Sequence, residues 1–184
     1  MQRDHILKIF LKGFAFALFG NILSGIMIIS IAPMISIWFI CFIAFILTVF
    51  IYASLLFTAG WKDGMKENSM LKNHRVESVP KYRWIALGLI IGIIISVPSV
   101  IILFGKLGLI NISGEYMFAH YFLNGTVRPL INLSGMKDAT LADYPLWLPI
   151  ASALFYIIIS PVAAHIGYKF GVDDKTRENI MFEK

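Results

Sequence analysis

From Gly13 to Trp61 the chain runs for 49 residues without one Asp, Glu, Lys or Arg. As a single helix that run would measure about 73 Å, more than twice the roughly 30 Å hydrocarbon core of a bilayer. One membrane helix cannot be that long, so the run must enter the membrane, turn and come back. Pro33, within Ile31-Ala32-Pro33-Met34, is the natural break. The run therefore predicts one span near residues 10–32 and a second near 35–60, joined by a very short uncharged turn.

Composition points the same way. The chain is 58% hydrophobic and 15% charged, with mean hydropathy +0.77, whereas a soluble domain is about 45–50% apolar and about 25% charged. A soluble globular, disordered or fibrous chain is excluded. In a soluble protein the net charge of +5 would suggest nucleic acid. Here the lysines and arginines flank apolar runs, so the implied partner is the lipid bilayer and no nucleic acid. Cys41 stands alone in an apolar run, which leaves no disulfide framework and no thiolate metal cluster.

Two more spans follow. The third runs over 84–105, between Arg83 and Lys106, and contains Pro98. The fourth runs over about 145–168, where Pro145 suits a first helical turn and Asp143 suits the positive helix end. Tyr144 and Trp147 fit an interfacial aromatic belt. The expected fold is all-α: a single-domain integral membrane bundle of four transmembrane helices, with a loop over 61–83 and a long, partly helical outer loop over 106–144. Basic residues precede the first span, as in a signal peptide. Its apolar stretch exceeds the usual h-region, and Pro33 follows the nearest small-residue site, so the first span is read as uncleaved.

Orientation follows from the lysines and arginines. The two tails and the 61–83 loop hold 13 of them, and the first turn and the outer loop hold 3. The positive-inside rule then puts both termini on the cytoplasmic side of a cell membrane.

Lipid removes most of the hydrophobic drive for helix association, so small residues mark the contact faces. The first span carries Gly13, Ala17, Gly20 and Ser24 on one face, with Asn21 beside it. The third carries Gly88-x-x-x-Gly92, continued by Ser96 and Ser99. The fourth carries Ser160, Ala164, Gly167 and Gly171. The second, with Trp38, Phe39, Phe42, Phe45 and Phe50, is expected to face lipid more. Packing within the chain is the main reading of Gly88 and Gly92, and self-association through them is the other. Pro98 and Pro161 should kink their helices, with Ser96, Ser99 and Ser160 near enough to satisfy the freed backbone groups.

Chemistry is sparse. No span has a charged residue in its interior, which argues against an ion-coupled carrier. There is no HExxH, GxSxG or Walker loop, and no metal, cofactor or catalytic residue is implied. Asn21 is the one strongly polar side chain deep in a span, expected to bond another helix, with ligand contact as the alternative. His165 reads as a membrane-edge histidine.

The outer loop is the most unusual segment, too long for a connector and rich in Tyr and Phe. Ser113 can cap a short helix through Phe122, stopped at Asn124-Gly125, and a second piece runs from Pro129 to Leu133 and ends at Gly135. The loop is expected to lie on the membrane surface or to dip between the spans. Its functional reading is a lid that binds a ligand or partner through Glu115, His120 and Arg128; its simpler reading is a cap. Asn111, Asn124 and Asn132 match the N-glycosylation pattern, which matters only in a secretory pathway.

Three segments carry a resemblance: Gly60-Trp61-Lys62-Asp63-Gly64 through Lys81-Tyr82, the aromatic outer loop, and Gly167-Tyr168-Lys169-Phe170-Gly171 with the Asn179 to Lys184 ending. In them the chain resembles a loose group of small uncharacterised four-span membrane proteins of Gram-positive bacteria. That resemblance implies no activity. Two functions are open: a non-enzymatic subunit or accessory protein of a membrane assembly, with a membrane or cytoplasmic protein partner, and a small-molecule transport component working with separate energising subunits.

Overall fold

The computed structural model describes residues 2–31, 34, 37–133 and 145–173. These form α1 (Gln2–Ser30), α2 (Trp38–Lys72), α3 (Arg83–Lys106), α4 (Gly114–Leu123), α5 (Arg128–Leu133) and α6 (Trp147–Val172), with no strand among the described residues. Four of them, α1, α2, α3 and α6, are long and apolar enough to cross a bilayer. Helices suit such sequences because each backbone N–H and C=O is satisfied within its own segment. The reversal between the first two spans falls between Ser30 and Trp38; Pro33, its expected apex, lies outside the described residues, as do Gly135, Asp143 and Tyr144.

The four long helices alternate in direction. α1 meets α2 antiparallel, Gly20 against Tyr52 and Ser24 against Thr48. α3 meets α6 antiparallel, Gly88 at Pro161 and Gly92 at Tyr156. At one end of the bundle, called here the near end, α1 and α3 begin and α2 and α6 finish. α6 is the central helix, packed along both α2 and α3.

The second helix does not stop at residue 60. α2 continues through Trp61, Lys62 and Asp63 to Lys72, so the connection to α3 is shorter than the 61–83 loop expected from charge. At 35 residues α2 is about 52 Å long and must project beyond the hydrocarbon core. Its last turns are held by α6. A methyl group on Gly60 would overlap the Ala164 carbonyl oxygen, and one on Gly64 the Tyr168 carbonyl oxygen; reciprocally, Gly167 abuts the Phe57 carbonyl and Gly171 the Trp61 carbonyl. Two Gly-x-x-x-Gly pairs thus face each other across a parallel helix pair, and only glycine lets the backbones come this close. The aromatic half of α2 does face outward, with Trp38 and Phe50 more than 60% exposed.

Gly88 and Gly92 are occupied. Side chains there would strike the Pro161 backbone and the Tyr156 carbonyl oxygen. The alternative of self-association through these glycines is therefore corrected: α6 already fills that face, because the small residues of α3 and α6 let the two backbones meet. Both proline-containing helices run on through Pro98 and Pro161. The nearby serines do not cap the carbonyls that the prolines free, those of Ile94 and Ile157. Ser96 donates to the Ile93 carbonyl, Ser160 to the Tyr156 carbonyl and Ser99 to the Asn124 side chain.

Candidate functional site

Of the 106–144 segment, the described part from α4 to α5 enters the bundle. Ser113 caps α4, its hydroxyl accepting from the Tyr116 N–H at 3.3 Å, and Asn124 ends the helix. The turn Asn124-Gly125-Thr126-Val127 is fully buried, and α5 leads out again. This is a re-entrant hairpin. Gly125 is required at its tip, because a side chain there would strike the Asn21 carbonyl oxygen and the Gly25 backbone of α1. The turn meets Asn21 nine residues from the far end of α1, and Tyr156 lies nine residues into α6. At 1.5 Å per residue both points are about 13 Å deep, near the middle of a bilayer core.

Irregular backbone at that depth persists only if protein groups satisfy it, and here all four spans contribute. From α1, the Asn21 side-chain oxygen accepts from the Thr126 hydroxyl (2.9 Å), the Thr126 N–H (3.3 Å) and, from α6, the Tyr156 hydroxyl (2.7 Å). From α2, the Thr48 hydroxyl donates to the Thr126 carbonyl at 2.9 Å and the Cys41 thiol to the Pro129 carbonyl at 3.1 Å. From α3, the Ser99 hydroxyl donates to the Asn124 side-chain oxygen at 3.2 Å, and the Asn124 amide donates to His120 Nδ1 at 2.8 Å. That last bond needs an unprotonated Nδ1, since an amide nitrogen can only donate. Tyr52 completes the network by bonding Ser160 at 2.8 Å.

Of the residues singled out from sequence, Asn21 is the hub of this network and does bond other elements. His120 is buried in it. Glu115 is exposed, and Arg128 lies over the Tyr121 ring, 5.0 Å from its centre. Glu115, His120 and Arg128 thus occupy three different environments. Of the two placements expected for the loop, dipping between the spans is the one found.

The near end holds a second polar cluster, in which the sequence marked Arg83 only as a flanking charge and Asp63 and Tyr168 only as parts of the segments that carry the resemblance. Asp63 and Glu67, one turn apart on α2, both pair with Arg83 at the start of α3. Trp84 Nε1 donates to Asp63 at 2.8 Å, the Tyr168 hydroxyl donates to Glu67, and the Arg83 guanidinium lies 5.6 Å from the centre of the Tyr168 ring. Three helices are joined there through charges that are largely buried. The available signal was the spacing of Gly60, Asp63, Gly64 and Glu67, which places the small and acidic residues on one face of α2.

Beside this cluster a cavity of about 550 Å³ opens between the α2–α3 connection and the end of α6. Among the described residues, no three His, Cys, Asp or Glu side chains are grouped to hold a metal. Four apolar spans around a buried hairpin define a multi-pass helical membrane protein in contact with the lipid bilayer. No known protein family, curated protein or solved structure matches the chain.

Proposed function

We propose that the protein is a non-enzymatic subunit or accessory protein of a membrane assembly, in a bacterial plasma membrane with both termini cytoplasmic. One observation carries the reading. At mid-depth the chain's own hairpin lies between the spans, and the polar groups of Asn21, Thr48, Ser99 and Tyr156 are bonded within that assembly. Such an interior is built to hold helices in one arrangement. The projecting end of α2, with Lys62, Met65 and Lys66 exposed, offers the surface for a partner, and the bias of lysine and arginine toward the near end supports the orientation.

A photo-crosslinker at Met65, compared with one at lipid-facing Ile158, tests this in native membranes. One defined protein adduct from Met65 alone, copurifying in constant ratio, is the expected result. A second reading, the transport component, draws on the polar turn at mid-depth, since interrupted helices there line substrate sites in transporters. Solute flux through vesicles containing the purified chain, or only with an added ATPase, would overturn the first reading in favour of the second.

A further inference from the structure

The near-end cavity has the chemistry of a binding site. Its wall on one side is the connection carrying Ser78, Val79, Lys81 and Tyr82, and on the other the last turns of α6 with His165, Tyr168 and Lys169. Two lysines from separate elements reach one opening. His165 lines the same space, and its buried Nδ1 has no hydrogen-bond partner among the described residues. Leu71, Val79 and Val172 supply an apolar floor. Asp173 is on the rim and opposes the lysines in part. Asp63 and Glu67, deeper in, are already engaged by Arg83, Trp84 and Tyr168.

Position decides what kind of ligand suits this combination. The cavity lies where α3 begins and the apolar part of α6 ends, at the depth where headgroups meet acyl chains. Cations over an apolar floor at that level match a lipid phosphate on its glycerol stem, and basic pockets between spans bind anionic headgroups. A volume of about 550 Å³ falls within the usual range for a small-molecule site, about 300–1,000 Å³. We propose that this cavity seats an anionic phospholipid of the near-end leaflet, its phosphate held by Lys81 and Lys169 and its glycerol and first acyl carbons resting on Leu71, Val79 and Val172.

The test uses the full chain in mild detergent, with phosphatidylglycerol, phosphatidylcholine or inorganic phosphate added and bound lipid counted by native mass spectrometry. One phosphatidylglycerol should be retained, in clear preference to phosphatidylcholine, and excess inorganic phosphate should not displace it. The double variant Lys81→Gln/Lys169→Gln should lose about tenfold or more in retention, since each lysine near a headgroup surface adds severalfold to the attraction. Lys12→Gln/Lys62→Gln removes the same charge elsewhere at the near end and should retain lipid as the unmodified chain does. Lys81→Arg/Lys169→Arg should keep binding, and Val79→Trp, which fills the floor, should abolish it with both lysines in place. Equal retention of the two lipids would overturn the site as one that selects anionic headgroups, and equal losses in the two Gln pairs would overturn it in favour of diffuse charge attraction. Displacement by inorganic phosphate would overturn the lipid as occupant and leave a soluble phosphate ester. Melting curves without added lipid identify any variant that fails to fold, and the Arg pair and Val79→Trp then decide the matter separately.

Discussion

The near-end cluster and the mid-depth network do the same mechanical work with different chemistry. At the near end, Asp63, Glu67 and Arg83 join α2 to α3 through full charges, and Tyr168 adds α6. About 13 Å from the far ends, the polar groups at the Asn124–Val127 turn make only neutral hydrogen bonds, with Asn21 at the centre. Depth explains the difference. An ion in hydrocarbon is costly even when paired, whereas near the headgroups the same ions keep partial access to water. Amides and hydroxyls can be placed deep because each finds a partner. A chain that ties helices at two depths therefore uses ions at the edge and amides in the middle.

The comparison breaks most visibly at Arg83. Arg83→Leu leaves two carboxylates facing each other without a cation, and breaking a buried pair in this way costs about 3–5 kcal/mol. The expected outcome is a large fall in melting temperature in detergent, with Asp63→Asn/Glu67→Gln added to Arg83→Leu recovering part of it. Gly92→Leu comes next. It drives a side chain into the Tyr156 backbone, and overpacking costs typically about 1–3 kcal/mol. Ile90→Leu and Ala86→Leu, on the lipid-facing side of the same helix, should leave the melting temperature nearly unchanged, and equal losses at all three positions would contradict the α3–α6 contact.

Asn21→Leu sharpens the contrast from the other side. It strips the acceptor from three donors, yet hydrogen bonds within membranes average only about 0.6 kcal/mol each. A loss of about 2 kcal/mol is expected from their sum, below that of Arg83→Leu; the reverse order would mean that the mid-depth network is the stronger tie. The smallest effect is on pH dependence. His120 accepts from Asn124 through Nδ1, so the folded state holds the neutral ring, while an unfolded histidine takes up a proton near pH 6.5. Stability should then fall as pH drops below about 6.5. Melting curves between pH 7.5 and pH 5 should show that decline in the unmodified chain and a shallower one in His120→Gln.

The four spans were legible because uncharged length and basic flanks are one-dimensional signals. Asn21 was legible for a similar reason: a lone amide in an apolar helix needs a partner. Its partners were not, since Thr126 and Tyr156 lie 105 and 135 residues away and nothing local encodes such pairings. That α2 runs on past the end of its expected span was not legible, because the charges after Trp61 signal a membrane exit and say nothing of where the helix stops; it continues as Gly60 and Gly64 dock on α6 and Asp63 and Glu67 meet Arg83. The ends of α4 were readable from Ser113 and Asn124-Gly125, which are local caps. That the hairpin goes inward depends on Gly25 and Gly125 fitting backbone to backbone, a contact between segments 100 residues apart.

The hairpin also governs the order in which the chain can mature. When α1 and α2 enter the membrane during synthesis, Thr48 can bond the Phe45 carbonyl of its own helix, but the groups that will satisfy the Asn21 side-chain oxygen have not been made; Thr126 arrives 105 residues after Asn21, and Tyr156 comes later still. Until then that oxygen must find temporary partners in water or in a chaperone. The hairpin must next slip in sideways among spans already inserted, and α6 closes the opening behind it. Biogenesis thus has a late locking step, and a ribosome-stalled chain lacking α6 should be a target for membrane quality-control proteases even though three of its four spans are complete.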